Sequence, residues 1–174
     1  MPQILVPIVV PAIAGGLCLL IPRRVKAVRE VITLAGLLWA FVAALQLFGQ
    51  WPLSFTRDWV VLGDLSVQFD LLLSHFSAFI IVFVTLFGLA VALYSMSWLS
   101  KEHDGRRYYG LLLWTVAASV GAALSNSLLL LLIFWEALTA ILFLFANTGR
   151  REKEASEGAS KSFIPVSYTH LRAH

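Results

Sequence analysis

Apolar residues run along this chain in long blocks, and polar residues are confined to the gaps between them. The blocks Ile4–Ile21, Val31–Phe48, Leu71–Met96, Tyr108–Leu124 and Leu128–Ala146 each have the length of a membrane helix. A hydrocarbon core about 30 Å thick takes roughly 20 apolar residues. The first block is entered through Pro7 and Pro11 and stopped by Pro22, which cannot continue a helix. A sixth block begins near Ser160. Between the second and third blocks the pattern changes. Trp59–Leu62 and Leu65–Phe69 flank Gly63-Asp64, a dipeptide suited to a tight hairpin turn. The expected fold class is an all-α integral membrane protein: five transmembrane helices plus the start of a sixth, with a short extracytoplasmic β-hairpin. The hairpin is read as a structural cap without chemistry.

Small residues mark where the helices would meet. Gly36, Ala40 and Ala44 recur on the second helix, Gly88 and Ala92 on the third, Ala117 and Gly121 on the fourth. In lipid, where apolar surface gains little by leaving its solvent, such residues let backbones approach closely. The pattern predicts a packed bundle.

The gaps give a direction. Arg23, Arg24, Lys26 and Arg29 follow the first helix, Lys101, Arg106 and Arg107 the third, and Arg150, Arg151, Lys153 and Lys161 the fifth. The alternate gaps carry only Arg57, and Ser125-Asn126-Ser127 is uncharged. Basic residues near helix ends stay in the cytoplasm. The N-terminus is therefore expected outside and the end of the fifth helix inside, in the cytoplasmic membrane of a prokaryote. No basic residue precedes the first block, so it reads as a retained helix and not as a cleaved signal.

Composition supports this reading and removes others. Hydrophobic residues make up 59% of the chain and charged residues only 13%, against about 25% charged in soluble domains. The small net charge of +3 sits beside helix ends and forms no phosphate-binding patch, so nucleic acid is not an expected partner. The single Cys18 lies inside an apolar run, which excludes an intrachain disulfide and reads as a buried, inert thiol. No His cluster, nucleophile–base pair or metal-ligand spacing supports a membrane enzyme, and no cofactor is implied. The segment Val166-Ser-Tyr-Thr-His-Leu-Arg-Ala-His174 breaks an apolar helix that has barely begun. It resembles the translation of GTC TCT TAT ACA CAT CTC CGA GCC CAC, read-through of a transposase-type sequencing adaptor, with a natural polar tail as the alternative. Residues 165–174 are therefore left out of the fold reading, and residues 1–164 are taken as the N-terminal transmembrane bundle.

One residue carries candidate chemistry. Glu136 sits near the middle of the fifth apolar block, on the order of 12 Å from its outer end at 1.5 Å per residue. A carboxylate at that depth is costly, cannot reach water on its short stem, and by default marks an ion or proton path. The competing reading is an interhelix hydrogen-bond tie in a purely structural bundle. Thr139 shares the face of Glu136 at i+3, and Thr115 and Ser119 form a similar stripe on the fourth helix. These three are candidate path-lining residues, with bonding to their own backbone as the alternative. His75, at the outer end of the third helix, is a solvated interfacial histidine or a proton entrance. Lys161 is a positive-inside anchor or a functional lysine.

The wording around Glu136 resembles a known family. Phe134-Trp135-Glu136 after a leucine run is similar to the fifth-helix motif of antiporter-like subunits from respiratory complex I, Mrp sodium/proton antiporters and membrane-bound hydrogenases. Tyr94-Ser95, Leu99-Ser100-Lys101-Glu102, Arg107-Tyr108-Tyr109-Gly110, Leu124–Leu128 and Gly158–Lys161 resemble the same family around its third to sixth helices. Ala137-Leu-Thr-Ala140 departs from its usual wording, which leaves the subfamily open. The resemblance implies an N-terminal fragment of a proton- or sodium/proton-translocating subunit, working with other membrane subunits and with redox centres held by partners. It also implies that Glu136 is a proton-transfer carboxylate paired with a lysine on a seventh helix, which this chain does not contain.

Overall fold

The computed structural model describes residues 2–22, 25–50, 52–62, 65–98 and 105–147. A 3-10 turn over Gln3–Leu5 leads into α1 (Val6–Leu20), followed by α2 (Lys26–Leu47), β1 (Leu53–Leu62), β2 (Leu65–Leu73), α3 (His75–Trp98), α4 (Gly105–Leu124) and α5 (Leu128–Ala146). The protein is thus mostly helical, with one two-stranded antiparallel sheet. Four stretches, Gln3–Leu20, Lys26–Leu47, His75–Ser97 and Leu128–Ala146, are long and apolar enough to cross a membrane. Large side chains such as Trp39, Phe87 and Leu128 stand exposed along these helices, as a hydrocarbon solvent permits.

The helix that falls short of that measure, α4, organises the others. It packs against α1, α2, α3 and α5, and its buried residues run from Tyr109 to Leu124 around most of its circumference. A helix sheathed by neighbours touches little lipid. It can carry Gly, Ala, Ser and Thr where a lipid-facing helix carries Leu and Phe. At Gly15 and Gly110 the backbones of α1 and α4 meet directly. A Cβ on Gly15 would lie 3.0 Å from the Gly110 carbonyl oxygen, and one on Gly110 would lie 3.2 Å from that of Gly15. Trp114 closes over this crossing and donates from Nε1 to the Ala12 carbonyl at 3.1 Å. The seams expected on the other helices are contact surfaces as well. A Cβ on Gly88 would fall 2.6 Å from Val116, and Ala40, Ala44 and Ala92 are fully buried.

Several boundaries move, each for a local reason. The third helix starts at His75, four residues later than the apolar run suggests, because Leu71–Leu73 complete β2. Ser74 and Ser77 then cap it reciprocally. The Ser77 amide donates to Ser74 Oγ at 3.2 Å, and the Ser74 amide donates to Ser77 Oγ at 2.7 Å, the geometry of a capping box. The hairpin is correspondingly longer than expected, pairing Leu53 with Leu73 and Leu62 with Leu65 around an irregularity at Asp58/Val60. Leu53, Phe55, Phe69, Leu71 and Leu73 form its apolar face, packed on the bundle, as the two-residue period of a strand requires. The second helix begins at Lys26, not Val31. A Lys26–Glu30 ion pair at 3.5 Å spans its first turn, so Arg29 is a helical residue and not a loop residue. The first helix starts at Val6 behind the 3-10 turn, and the fourth at Gly105, which takes Arg106 and Arg107 into its first turn. Cys18 is fully buried. The expected sixth helix, Lys161 and the 165–174 tail lie outside the described residues.

The Gly15–Gly110 crossing gives a controlled test. Gly15→Ala drives a methyl into the Trp114 ring and the Gly110 carbonyl and is expected to destabilise by about 1–3 kcal/mol. Gly16→Ala, where a Cβ meets nothing within 4 Å, is expected to be neutral. Thermal unfolding in detergent, followed by tryptophan fluorescence, reads both. Equal midpoints would mean that this crossing is not close-packed.

Candidate functional site

The site is set by how α5 is held. Ser127 caps the helix, its side chain accepting from the Leu130 amide at 3.2 Å. Leu130 is buried, and Phe134, Leu138, Ile141 and Phe145 are half-buried. Their spacing of three or four residues traces one stripe along the helix. This stripe lies on α4, the packing partner of α5. The Phe134 ring occupies the space above Gly121, where a Cβ would come within 2.3 Å of it. At the other end the Phe145 ring meets Tyr108 edge-on, centroids 5.0 Å apart. Tyr108 in turn shares a 2.6 Å hydrogen bond with Ser95 of α3.

Glu136 is the ninth residue of this 19-residue helix. At 100° per residue it lies on the side opposite the α4 stripe. It is exposed and, among the described residues, has neither a hydrogen-bond nor an ion-pair partner. The exposed Leu132 and Ala140 share its face. Glu136 therefore points away from the bundle that the described residues form.

Among the described residues, the other candidates are not gathered around it by any hydrogen bond. Thr139 Oγ1 donates to the Trp135 carbonyl at 2.9 Å, and Thr115 Oγ1 donates to that of Leu111 at 2.9 Å. Both hydroxyls are thus engaged by their own helix, the alternative weighed for them above. Ser119 is half-buried on α4, and His75 is exposed at the start of α3.

A second polar network, not foreseen as a unit from the sequence, lies where α5 begins. The Asn126 amide donates to the Asp70 carbonyl at 3.0 Å, and Asn126 Nδ2 donates to Asp70 Oδ2 at 2.5 Å. Thr56 Oγ1 donates to Asp70 Oδ1 at 2.9 Å. Leu71 and Ser125 form an isolated antiparallel bridge beside them. The hairpin is therefore fastened to the turn between α4 and α5. The only sequence signal was that Asp70 and Asn126 are polar residues next to long apolar runs, and 56 positions separate them.

Residues 59–109 match the family described as NADH-ubiquinone oxidoreductase (complex I), chain 5 N-terminus. The chain is 34% identical over 109 residues to a Na(+)/H(+) antiporter subunit A1 from Staphylococcus haemolyticus, covering 63% of this chain and 13% of that protein. It is 27% identical over 129 residues to an NAD(P)H-quinone oxidoreductase chain 5 from Picosynechococcus, covering 74% and 19%. Its fold matches a chain of the Mrp complex from Dietzia with a TM-score of 0.76 at 20% identity, covering 97% of this chain and 18% of that one. The chain thus spans less than a fifth of the length of each of these relatives.

The cap that starts α5 can be tested directly. Ser127→Ala removes the acceptor for the Leu130 amide and is expected to cost about 0.5–2 kcal/mol of local stability. Hydrogen exchange at the Leu129 and Leu130 amides should quicken accordingly, with the C-terminal half of α5 unchanged. Unchanged exchange at these amides would show that the cap contributes nothing.

Proposed function

We propose a transport role for this chain, an antiporter-like membrane subunit related to the Mrp sodium/proton antiporters and to chain 5 of complex I. On this reading residues 1–164 are the N-terminal bundle of a subunit that moves protons, or sodium against protons, across the cytoplasmic membrane of a prokaryote. It works among other membrane subunits, and α1 to α5 each cross the bilayer, with the N-terminus outside. Glu136 is its mid-membrane proton-transfer carboxylate, and Thr139, Thr115, Ser119, His75 and Lys161 are candidate path-lining residues.

The observation that carries the reading is the placement of Glu136, halfway along an apolar helix and opposite the seam that this helix packs on α4. Lipid is a poor neighbour for a carboxylate, and ionisable residues at this depth face protein or water. The face of α5 that bears Glu136 is therefore the one that further helices of the subunit would cover, with a cationic partner among them. The competing reading, a structural bundle with Glu136 as an interhelix tie, predicts different variants.

Replacing Glu136 with Gln keeps size and hydrogen bonding and removes titration. In the full-length subunit, Glu136→Gln should assemble normally and lose most ion flux in inverted vesicles, while Glu136→Asp keeps part of it. Flux is normalised to assembled complex on a native gel. Full flux in the Gln variant, with poor assembly of Glu136→Ala, would favour the tie instead. Topology has its own test. In a Cys18→Ser background, a cysteine at Asp64 should react with an impermeant thiol reagent from outside, and one at Glu102 should not. Equal labelling of the two would overturn the N-outside arrangement.

A further inference from the structure

Sliding and turning are the natural freedoms of a membrane helix held by an apolar seam. The seam between α5 and α4 is of this kind: Phe134 on Gly121, Phe145 on Tyr108, and the half-buried leucine and isoleucine between them. Association in lipid has no hydrophobic drive, so such a seam fixes register only through shape. A slip of one residue would move Glu136 by about 1.5 Å in depth and about 100° around the helix axis. Something must hold α5 at one height and one rotation.

The described residues offer one polar attachment at its outer end. Asn126 stands two residues before Leu128, the first residue of α5, and is bonded to Asp70 through both its backbone amide and its side chain. The second Asp70 oxygen is held by Thr56 of β1, and Leu71 beside it is buried in the core. The carboxylate cannot follow Asn126 outward, because its own strand is bound to β1 and packed on the bundle. Between Asn126 and Glu136 runs one capped turn and unbroken helix, a stiff arm of about 15 Å at 1.5 Å per residue.

We infer that Asp70 is a positioning residue for Glu136: through Asn126 it anchors the start of α5 to the extramembrane hairpin, and so sets the depth and rotation at which the carboxylate is presented. The importance given to Glu136 rests on the transport reading above, whereas the anchoring of α5 can be measured without it. The hairpin then has a mechanical task beyond covering the outer surface.

The test uses the full-length subunit in its assembled complex, in a Cys18→Ser background. Spin labels at Leu38→Cys on α2 and Leu142→Cys on α5, both exposed positions, report the placement of α5 by pulsed dipolar distance measurement. Asp70→Ala should broaden or shift the distance distribution and lower flux per assembled complex on the order of tenfold, as misplacing a reacting group does. The reciprocal exchange, Asp70→Asn together with Asn126→Asp, restores one donor facing one acceptor. It should return both readouts toward wild type, which a merely stabilising carboxylate would not require. If Asp70→Ala does not assemble, Asn126→Ala takes its place, since it leaves the Thr56 bond intact. A wild-type distance distribution in the variant overturns the inference. So does an exchange variant as impaired as the single one, or a displaced α5 with undiminished flux. If the distances respond and recover while Glu136→Gln transports normally, the anchor stands and the transport role of Glu136 is what has failed.

Discussion

Contact between backbones at α4 is the constraint on which the rest of this structure depends. In water, a bundle is held by expelling solvent from apolar faces, and imprecise packing is tolerated. In a bilayer the apolar faces are content with lipid, so association comes from close contact and from a few polar bonds. The Gly15–Gly110 crossing, the Val116 side chain against Gly88 and the Phe134 ring against Gly121 all supply such contact, and all involve α4. Polar bonds sit at both its ends, Ser95 to Tyr108 at one and Asp70 to Asn126 just beyond the other, and Trp114 adds one to the Ala12 carbonyl at its middle. Filling any of these gaps would force the facing side chain or backbone to shift.

The two sides of α5 follow from the same constraint. One stripe of alternating medium and large side chains meets α4, and the opposite face carries exposed leucines together with Glu136. Leucine is at home in lipid and glutamate is not. The face is thus chemically mixed, which suits a protein neighbour better than a lipid one.

Much of this was legible in the sequence, and the failures have identifiable physics. Helix positions were carried by apolar block length, and packing seams by the four-residue recurrence of Gly and Ala. Boundaries failed where one signal masked another. Leu71–Leu73 read as helix because three leucines carry no period, and only their pairing with Leu53–Phe55 makes them strand. Lys26 and Arg29 read as loop because basic residues mark membrane edges, yet a helix can begin outside the hydrocarbon and enter it within two turns. The Thr115 and Thr139 hydroxyls each donate to the preceding turn of their own helix, the bonding that the sequence offered beside a lining role. The Asp70–Asn126 contact could not be read as a pair, because nothing local announces a pairing across two intervening helices. Glu136 was legible as an anomaly, and the direction it faces required the seam on α4.

The sheathing of α4 also bears on how such a protein is made. Helices enter a bilayer one after another as they leave the ribosome, each judged by its own preference for lipid. On the five-span reading, α1, α2, α3 and α5 can pass that judgement alone. With glycine, alanine, serine and threonine where its neighbours carry leucine, α4 gains least by meeting lipid directly. Its natural partners during synthesis are the three helices that precede it, already inserted and presenting the surfaces it will touch. The residue choices that make α4 a good centre for the finished bundle therefore make it a dependent passenger during assembly, and the chain order places its hosts first.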